Sequence, residues 1–210
     1  MIKKIMNKAK EEKGNAVIIL GLILIMVCLF VGGMILDVSK AHQMKSSYID
    51  SATKAVQAGV SRQNSSGYLT AEAAAQAILV YENVARPSVI KSGYMSSCDN
   101  PRKVDITVFY MGDEFAKGSH RITINSSNVS PSDTIQNILT KAKLNGQAIT
   151  PARKKYIENG KYTGLEIELT ESTPNVILPG ATTISGLDGS NLKCQKIGIQ
   201  AGASQYEEIR

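Results

Sequence analysis

Few side chains in this sequence have the types and spacing that catalysis or metal binding requires. The two histidines, His42 and His120, each lack a second histidine or a cysteine at the spacing of a zinc ligand pair. The chain contains no Gly-x-Ser-x-Gly nucleophile turn and no glycine-rich phosphate loop ending in Gly-Lys-Ser or Gly-Lys-Thr. We therefore expect neither an enzyme nor a cofactor or metal site.

Glu166 and Glu168 come closest to a pair of catalytic carboxylates. Alternate residues of a strand point to the same side, so these two side chains share one face of a predicted strand. Such a pair could act as acid and base or bind calcium. A solvated strand face explains the pair more simply, and we expect these glutamates to be surface residues.

Basic residues are concentrated at the start of the chain. Residues 1–13 hold five lysines and two glutamates and supply +3 of the net charge of +6. Lysines that precede a first membrane span favour the cytoplasmic side. The basic excess therefore predicts a membrane topology and gives no reason to expect a nucleic-acid partner. We interpret residues 1–15 as a cytoplasmic leader.

A transmembrane helix is predicted directly after the leader. Residues 16–36 (AVIILGLILIMVCLFVGGMIL) carry no charge, and a helix of this length rises about 30 Å, the thickness of a hydrocarbon core. The run is longer than the core of a secretory signal peptide, and Ser39-Lys40-Ala41 is a poor cleavage site. We therefore expect the span to be retained in the cell membrane, with the rest of the chain extracytoplasmic.

The helix is predicted to continue past the membrane over residues 37–62. No proline interrupts it, and apolar or small residues recur at steps of three and four. The predicted packing face comprises Val38, Ala41, Met44, Ile49, Ala52 and Val56. Asp37 is interpreted as a membrane-edge charge, which either ends the span among the headgroups or pairs with a lysine of a neighbouring subunit.

Residues 63–210 are predicted to form an extracytoplasmic α+β domain with a mostly antiparallel sheet. One helix begins after Thr70 and ends before Arg86-Pro87, because a residue before proline disfavours the helical conformation. A capping box at residues 130–133 opens another helix, which Asn145-Gly146 ends. Strands are predicted at residues 103–110, 121–125, 163–170, 175–178, 182–185 and 192–199.

The three cysteines fall on different predicted segments. Cys28 lies within the span, where it serves as a small apolar side chain. Cys98 and Cys194 both lie outside, where disulfides persist. We predict that these two are bonded, and the alternative is two separate thiols.

Several short motifs accompany the long helix. They are Lys13-Gly14-Asn15-Ala16-Val17 before the span, Leu36-Asp37-Val38 at its end, and an alanine-rich stretch that ends at Ala58-Gly59. This arrangement resembles the N-terminus of TadE/TadG-like proteins of the tight-adherence (Flp) pilus systems, which are relatives of type IV pilins. The resemblance covers about the first 60 residues. Asp50 and Lys54 depart from it, because the family usually has glutamine and aspartate at those positions.

The resemblance implies a pilin-like fold and a pseudopilin-like role in pilus assembly or secretion, performed by protein packing. Its implied partners are other pilins or pseudopilins, a pilus assembly platform and the membrane. Gly14-Asn15 is then either a cleavage site for a prepilin peptidase or only the start of the span. Ile19 replaces the glutamate that type IV pilins carry at the fifth mature position. A membrane-tethered extracellular binding module unrelated to pili is the alternative function.

Overall fold

The computed structural model describes residues 2–91, 105–112, 120–175 and 194–204. They form an α+β fold with a long N-terminal helix and a six-stranded antiparallel sheet, as the sequence predicts. The chain divides into two compact units, residues 1–40 with 175–193 and residues 41–174 with 194–210. The predicted strand at 182–185 and all but the first residue of the one at 175–178 lie outside the described residues.

Helix α1 (Ile2–Val60) is continuous, which confirms the prediction of one helix across Asp37. The chain leaves the helix in a turn that Asn64 organises. The side-chain oxygen of Asn64 accepts the backbone N–H groups of Ser66 and Tyr68, each at 2.9 Å. Gly67 has a φ of 81°, a conformation that glycine adopts without steric cost. These local bonds compete with helix formation and end α1.

The second helix is longer than predicted, because Pro87 does not stop it. Helix α2 (Ala71–Val80) is followed by a π-helical turn (Tyr81–Ala85) and then by α3 (Arg86–Lys91). The Arg86 N–H donates to the carbonyl of Tyr81, the wide bond of a π turn. A wider turn directly before a proline relieves the clash between its ring and the preceding turn. The predicted end before Arg86-Pro87 is therefore wrong.

The sheet is antiparallel throughout, with strand order β4-β3-β2-β1-β5-β6. The strands are β1 (Asp105–Gly112), β2 (Arg121–Asn125), β3 (Lys143–Leu144), β4 (Gln147–Ala148), β5 (Tyr162–Pro174) and β6 (Cys194–Ser204). The longest pairing joins β5 to β6, and its register is continuous from Gly164 opposite Ser204 to Pro174 opposite Cys194. β6 is thus a terminal strand of the described sheet.

The helix between β2 and β3 is shorter than predicted at both ends. α4 (Ile135–Lys141) begins after Thr134, whose hydroxyl accepts the Asn137 N–H at 3.3 Å, rather than at the predicted capping box. Asn145 and Gly146 have φ angles of 49° and 81° and turn the β3–β4 hairpin. An Asn-Gly pair suits a two-residue hairpin turn as well as a helix end, and here the hairpin forms. α5 (Pro151–Glu158) follows β4.

The two faces of the sheet differ in polarity. Side chains on one face are buried in the core, among them Ile106, Val108, Ile122, Ile124, Leu165, Ile167, Leu169, Ile197 and Ile199. On the other face Glu168, Thr170, Lys196 and Gln200 are exposed. This is the alternation expected of an antiparallel sheet that is covered on one side.

Helix α1 packs closely against α2 at Gly59. A Cβ atom at this position would lie 2.6 Å from the carbonyl oxygen of Ala73 and 3.1 Å from the Ala77 Cβ. It would also lie 3.0 Å from the Leu165 Cδ1 on β5. The alanine-rich α2 presents only small side chains here, so the two backbones come together and glycine is required at position 59.

Candidate functional site

The first candidate site is the apolar surface of α1 between Val17 and Leu36. Its large side chains are exposed, from 43% at Met34 to 69% at Leu20, except that of Phe30, which is half-buried. By length and composition, this is the one helix in the described part of the chain that could cross a membrane. An exposed apolar surface of this extent marks a contact with lipid or with another protein.

Farther along α1, exposure is restricted to part of the helix surface. A stripe at steps of three and four is almost completely buried and consists of Ala41, Met44, Tyr48, Ala52, Ala55 and Val56. Lys54 and Gln57 lie on the opposite, exposed side. The stripe belongs to the same hydrophobic core as the apolar face of the sheet. This part of α1 is therefore a core helix of the folded domain.

The predicted packing face matches this stripe only in part. Ala41, Met44, Ala52 and Val56 are buried, and Ile49 is half-buried. Val38 is 46% exposed and does not join the stripe. Asp37, which is 3% exposed, occupies the stripe position one turn before Ala41. The role of Asp37 as a membrane-edge charge stays a prediction.

The second candidate site is a groove of about 940 Å³ beside the sheet. Helix α1 contributes Lys45 and Ile49, and the strands contribute Asp105, Thr107, Arg121, Glu168, Leu169, Thr170, Ser172, Lys196, Gly198, Ile199 and Gln200. The lining combines cations, anions, hydroxyl groups and backbone with a few apolar side chains. A groove of this size and chemistry suits a polar or peptide-like ligand.

A buried polar cluster joins the π turn to β5. The side chain of Glu171 is fully buried, and its Oε1 accepts a hydrogen bond from the Tyr81 hydroxyl at 2.7 Å. The Arg86 Nε donates to the same oxygen at 3.0 Å, and the Arg86 side chain is 12% exposed. Burying a carboxylate is costly unless it is paired and hydrogen-bonded, and these two donors satisfy its Oε1.

The sequence analysis did not single out this cluster, although the alternation of β5 contains its signal. Leu165, Ile167 and Leu169 mark the buried face of the strand, and the next position on that face is Glu171. The predicted strand ended at residue 170, one residue before it. A carboxylate in phase with a buried face predicts a buried partner, and that partner is Arg86.

His120 belongs to an aromatic cluster rather than to a polar cleft. It is 8% exposed, and its ring centroid lies 5.3 Å from that of Tyr162. The Tyr162 ring lies 5.0 Å from that of Tyr110, whose hydroxyl donates to the Thr70 carbonyl at 3.1 Å. Burial raises the pKa of Tyr110 well above its usual range, so this phenol stays neutral and holds α2 to the sheet.

The other predicted site residues are dispersed. His42 is exposed on α1, and among the described residues no group of three or more His, Cys, Asp or Glu side chains could hold a metal ion. Glu168 is exposed and Glu166 half-buried on the polar face of the sheet. The structure thus brings none of these groups together into a constellation with histidine.

The predicted cleavage site and disulfide remain predictions. Gly14 and Asn15 lie within α1, and Asn15 is exposed. Cys28 has a free, exposed thiol in the apolar part of the same helix. Cys194 is the first residue of β6, and Cys98 lies outside the described residues.

Comparison of this chain with known protein families, with curated proteins and with solved structures found no match. The resemblance to TadE/TadG-like proteins therefore depends on the motifs of the first 60 residues. The geometry itself offers an apolar helix surface and a polar groove.

Proposed function

We propose that this protein is a single-pass membrane protein and a pseudopilin-like component of a tight-adherence pilus or related secretion system. The observation that carries the proposal is the change in exposure along α1, from apolar on all sides to buried along one stripe. Hydrocarbon is the natural surrounding of the first part, and the core of a folded domain surrounds the second. An anchor helix that continues into a globular domain is also what the sequence motifs imply.

In this proposal the lysine-rich leader stays in the cytoplasm and the α+β domain lies outside. Five lysines before the span favour that orientation. Asp37 and the basic residues Lys40 and Lys45 follow the span on the outer side. A prepilin peptidase that recognises the leader would cut between Gly14 and Asn15.

The role proposed is architectural. The protein packs against other pilins, pseudopilins or an assembly platform through the apolar surface of α1 and through its domain. Pilus incorporation then follows if the span leaves the membrane for the core of a filament. No step of this role needs a catalytic group, and mutation of His42 or His120 is expected to leave it intact.

A deletion strain tests the proposal. Loss of the gene should abolish or shorten surface filaments seen by electron microscopy, and the wild-type gene should restore them. Cross-linking in intact cells should join this protein to other pilins. Normal filaments in the deletion strain, together with the absence of pilin cross-links, would contradict the proposal.

The groove favours a second candidate, a membrane-tethered extracellular binding module. Its lining of charged, hydroxyl and apolar groups is what such a module would present to a ligand. The same deletion strain separates the two candidates. A binding module would leave filaments unchanged and would bind its ligand as an isolated domain.

A further inference from the structure

The two terminal strands of the described sheet differ greatly in length. β4 has two residues, Gln147 and Ala148, and forms a tight hairpin with β3. β6 has eleven residues, from Cys194 to Ser204. Folded proteins protect long terminal strands with prolines, bulges or several charges, because open backbone groups attract other strands. β6 contains no proline, has continuous register with β5 and carries one charge, Lys196.

The outer side of β6 has backbone groups available for pairing. Between Lys196 and Ala203, the described chain makes no backbone hydrogen bond other than those of the ladder with β5. Alternate N–H and C=O groups of a terminal strand point away from its only neighbour. Those of β6 therefore form a template about eight residues long.

The groove lies along this template. Its lining includes Lys196, Gly198 and Gln200 from the polar face of β6 and Ile199 from the buried face. The groove therefore borders β6 on the polar face of the sheet. Strand spacings of 3.4, 4.8 and about 10 Å give roughly 160 Å³ per residue, so 940 Å³ accommodates about six residues of extended chain.

Two cations line the groove beside the template. Lys196 lies on β6, and Lys45 contributes from α1 to the same groove. Neither makes an ion pair within the described part of the chain. The anions of the groove, Asp105 and Glu168, lie on β1 and β5, at least one strand farther from the outer side.

We propose that an extended segment of a partner protein adds to β6 as a seventh strand, with a carboxylate side chain near Lys45 and Lys196. Main-chain hydrogen bonds supply most of the affinity in such strand addition, and side-chain pockets supply specificity. The inference goes beyond the proposed function and stands without it, because pairing at β6 does not depend on whether α1 spans a membrane.

The test uses the full-length protein in detergent micelles and three capped hexapeptides. The first is Val-Thr-Val-Glu-Val-Thr, the second has lysine in place of glutamate, and the third has proline in place of the central valine. Binding of the glutamate peptide should slow amide hydrogen exchange within Lys196–Ala203. The glutamate peptide should bind about two- to fivefold more tightly than the lysine peptide, which is the range that an exposed ion pair contributes. The proline peptide, which lacks a donor, should not protect β6.

Charge reversal decides whether the preference comes from the groove. The double variant Lys45→Glu and Lys196→Glu should bind the lysine peptide more tightly than the glutamate peptide. Both residues are exposed, so the fold should persist. The control Lys54→Glu, exposed on α1 and not part of the groove, should leave the order unchanged. Three results would overturn the proposal. They are the absence of exchange protection at β6, protection by the proline peptide equal to that by the glutamate peptide, and an order of peptide affinities that charge reversal leaves unchanged.

Discussion

The two parts of α1 differ both in apolar content and in the arrangement of their apolar residues. From Val17 to Leu29 the large side chains are exposed on all sides, whereas from Ala41 to Val60 a single stripe is buried. A helix that is apolar on all sides needs an apolar solvent, and a helix with one apolar stripe needs one protein neighbour. The comparison teaches that the number of apolar residues and their period together identify what each part of a helix contacts.

The glycines of α1 show the same difference. A Cβ atom at Gly32 would meet no atom within 4 Å, but one at Gly59 would lie 2.6 Å from the Ala73 carbonyl oxygen. Space surrounds the first glycine, and a packed interface surrounds the second. The two positions therefore offer matched probes of the two parts.

A charge in the buried stripe should have the largest effect. Ala52 is completely buried, and Ala52→Glu places an unpaired carboxylate in the core, at a cost on the order of 5 kcal/mol. We expect loss of the folded domain and a low protein level on immunoblots. The control Gln57→Glu adds the same charge on the exposed side of α1 and should accumulate normally. Equal levels of the two variants would mean that the stripe is not a core contact.

The polar contact at Glu171 should be the next most sensitive. Glu171→Gln keeps the shape of the side chain but leaves the Arg86 guanidinium without its carboxylate, which should lower the free energy of unfolding by about 3 kcal/mol. Tyr81→Phe removes one hydrogen bond and should cost about 1 kcal/mol. Urea unfolding in micelles, followed by circular dichroism, measures both. A Tyr81→Phe effect larger than that of Glu171→Gln would contradict this account of the cluster.

The two glycines should then separate the parts of α1 directly. Gly59→Ala should lower the free energy of unfolding by about 1–3 kcal/mol through overpacking, which exceeds the gain of about 0.5–1 kcal/mol in helix propensity. Gly32→Ala should change it by less than about 0.5 kcal/mol, because its surroundings are open. The same urea titration compares them. If Gly59→Ala is as stable as Gly32→Ala, the close contact of α1 with α2 is absent in solution.

The histidines should show the smallest effect. His42→Ala removes an exposed ring, and His120→Ala removes one ring of an aromatic contact, so the second variant should lose about 1 kcal/mol of stability. Filament number per cell, scored by electron microscopy at equal protein level, should match the wild type for both. Loss of function in His120→Ala at normal protein level would require an active site around this residue.

Much of the fold could be predicted from periodicity. The uninterrupted α1, strand β2 and the alternation of β1 and β5 followed from the spacing of apolar residues. The errors lie at the predicted ends of helices. Pro87 was expected to end a helix that a π turn carries past it, and Asn145-Gly146 turns a hairpin instead of ending α4. Both signals have two structural solutions, and tertiary packing selects between them.

The candidate sites were harder to predict. The stripe at Ala41, Met44 and Ala52 could be predicted because a helix repeats every 3.6 residues. The groove and the contact between Arg86 and Glu171 bring together segments far apart in the chain. A single sequence contains no distance between such segments, so these features become visible only in the folded structure.

The most direct test of the central claim is the topology of the chain. Alkaline phosphatase, active only outside the cytoplasm, and green fluorescent protein, fluorescent only inside it, are each fused after Arg210 in a bacterial host. An N-cytoplasmic span at residues 16–36 predicts phosphatase activity without fluorescence. Fluorescence without phosphatase activity, with the protein released in soluble form, would contradict the membrane-anchored account.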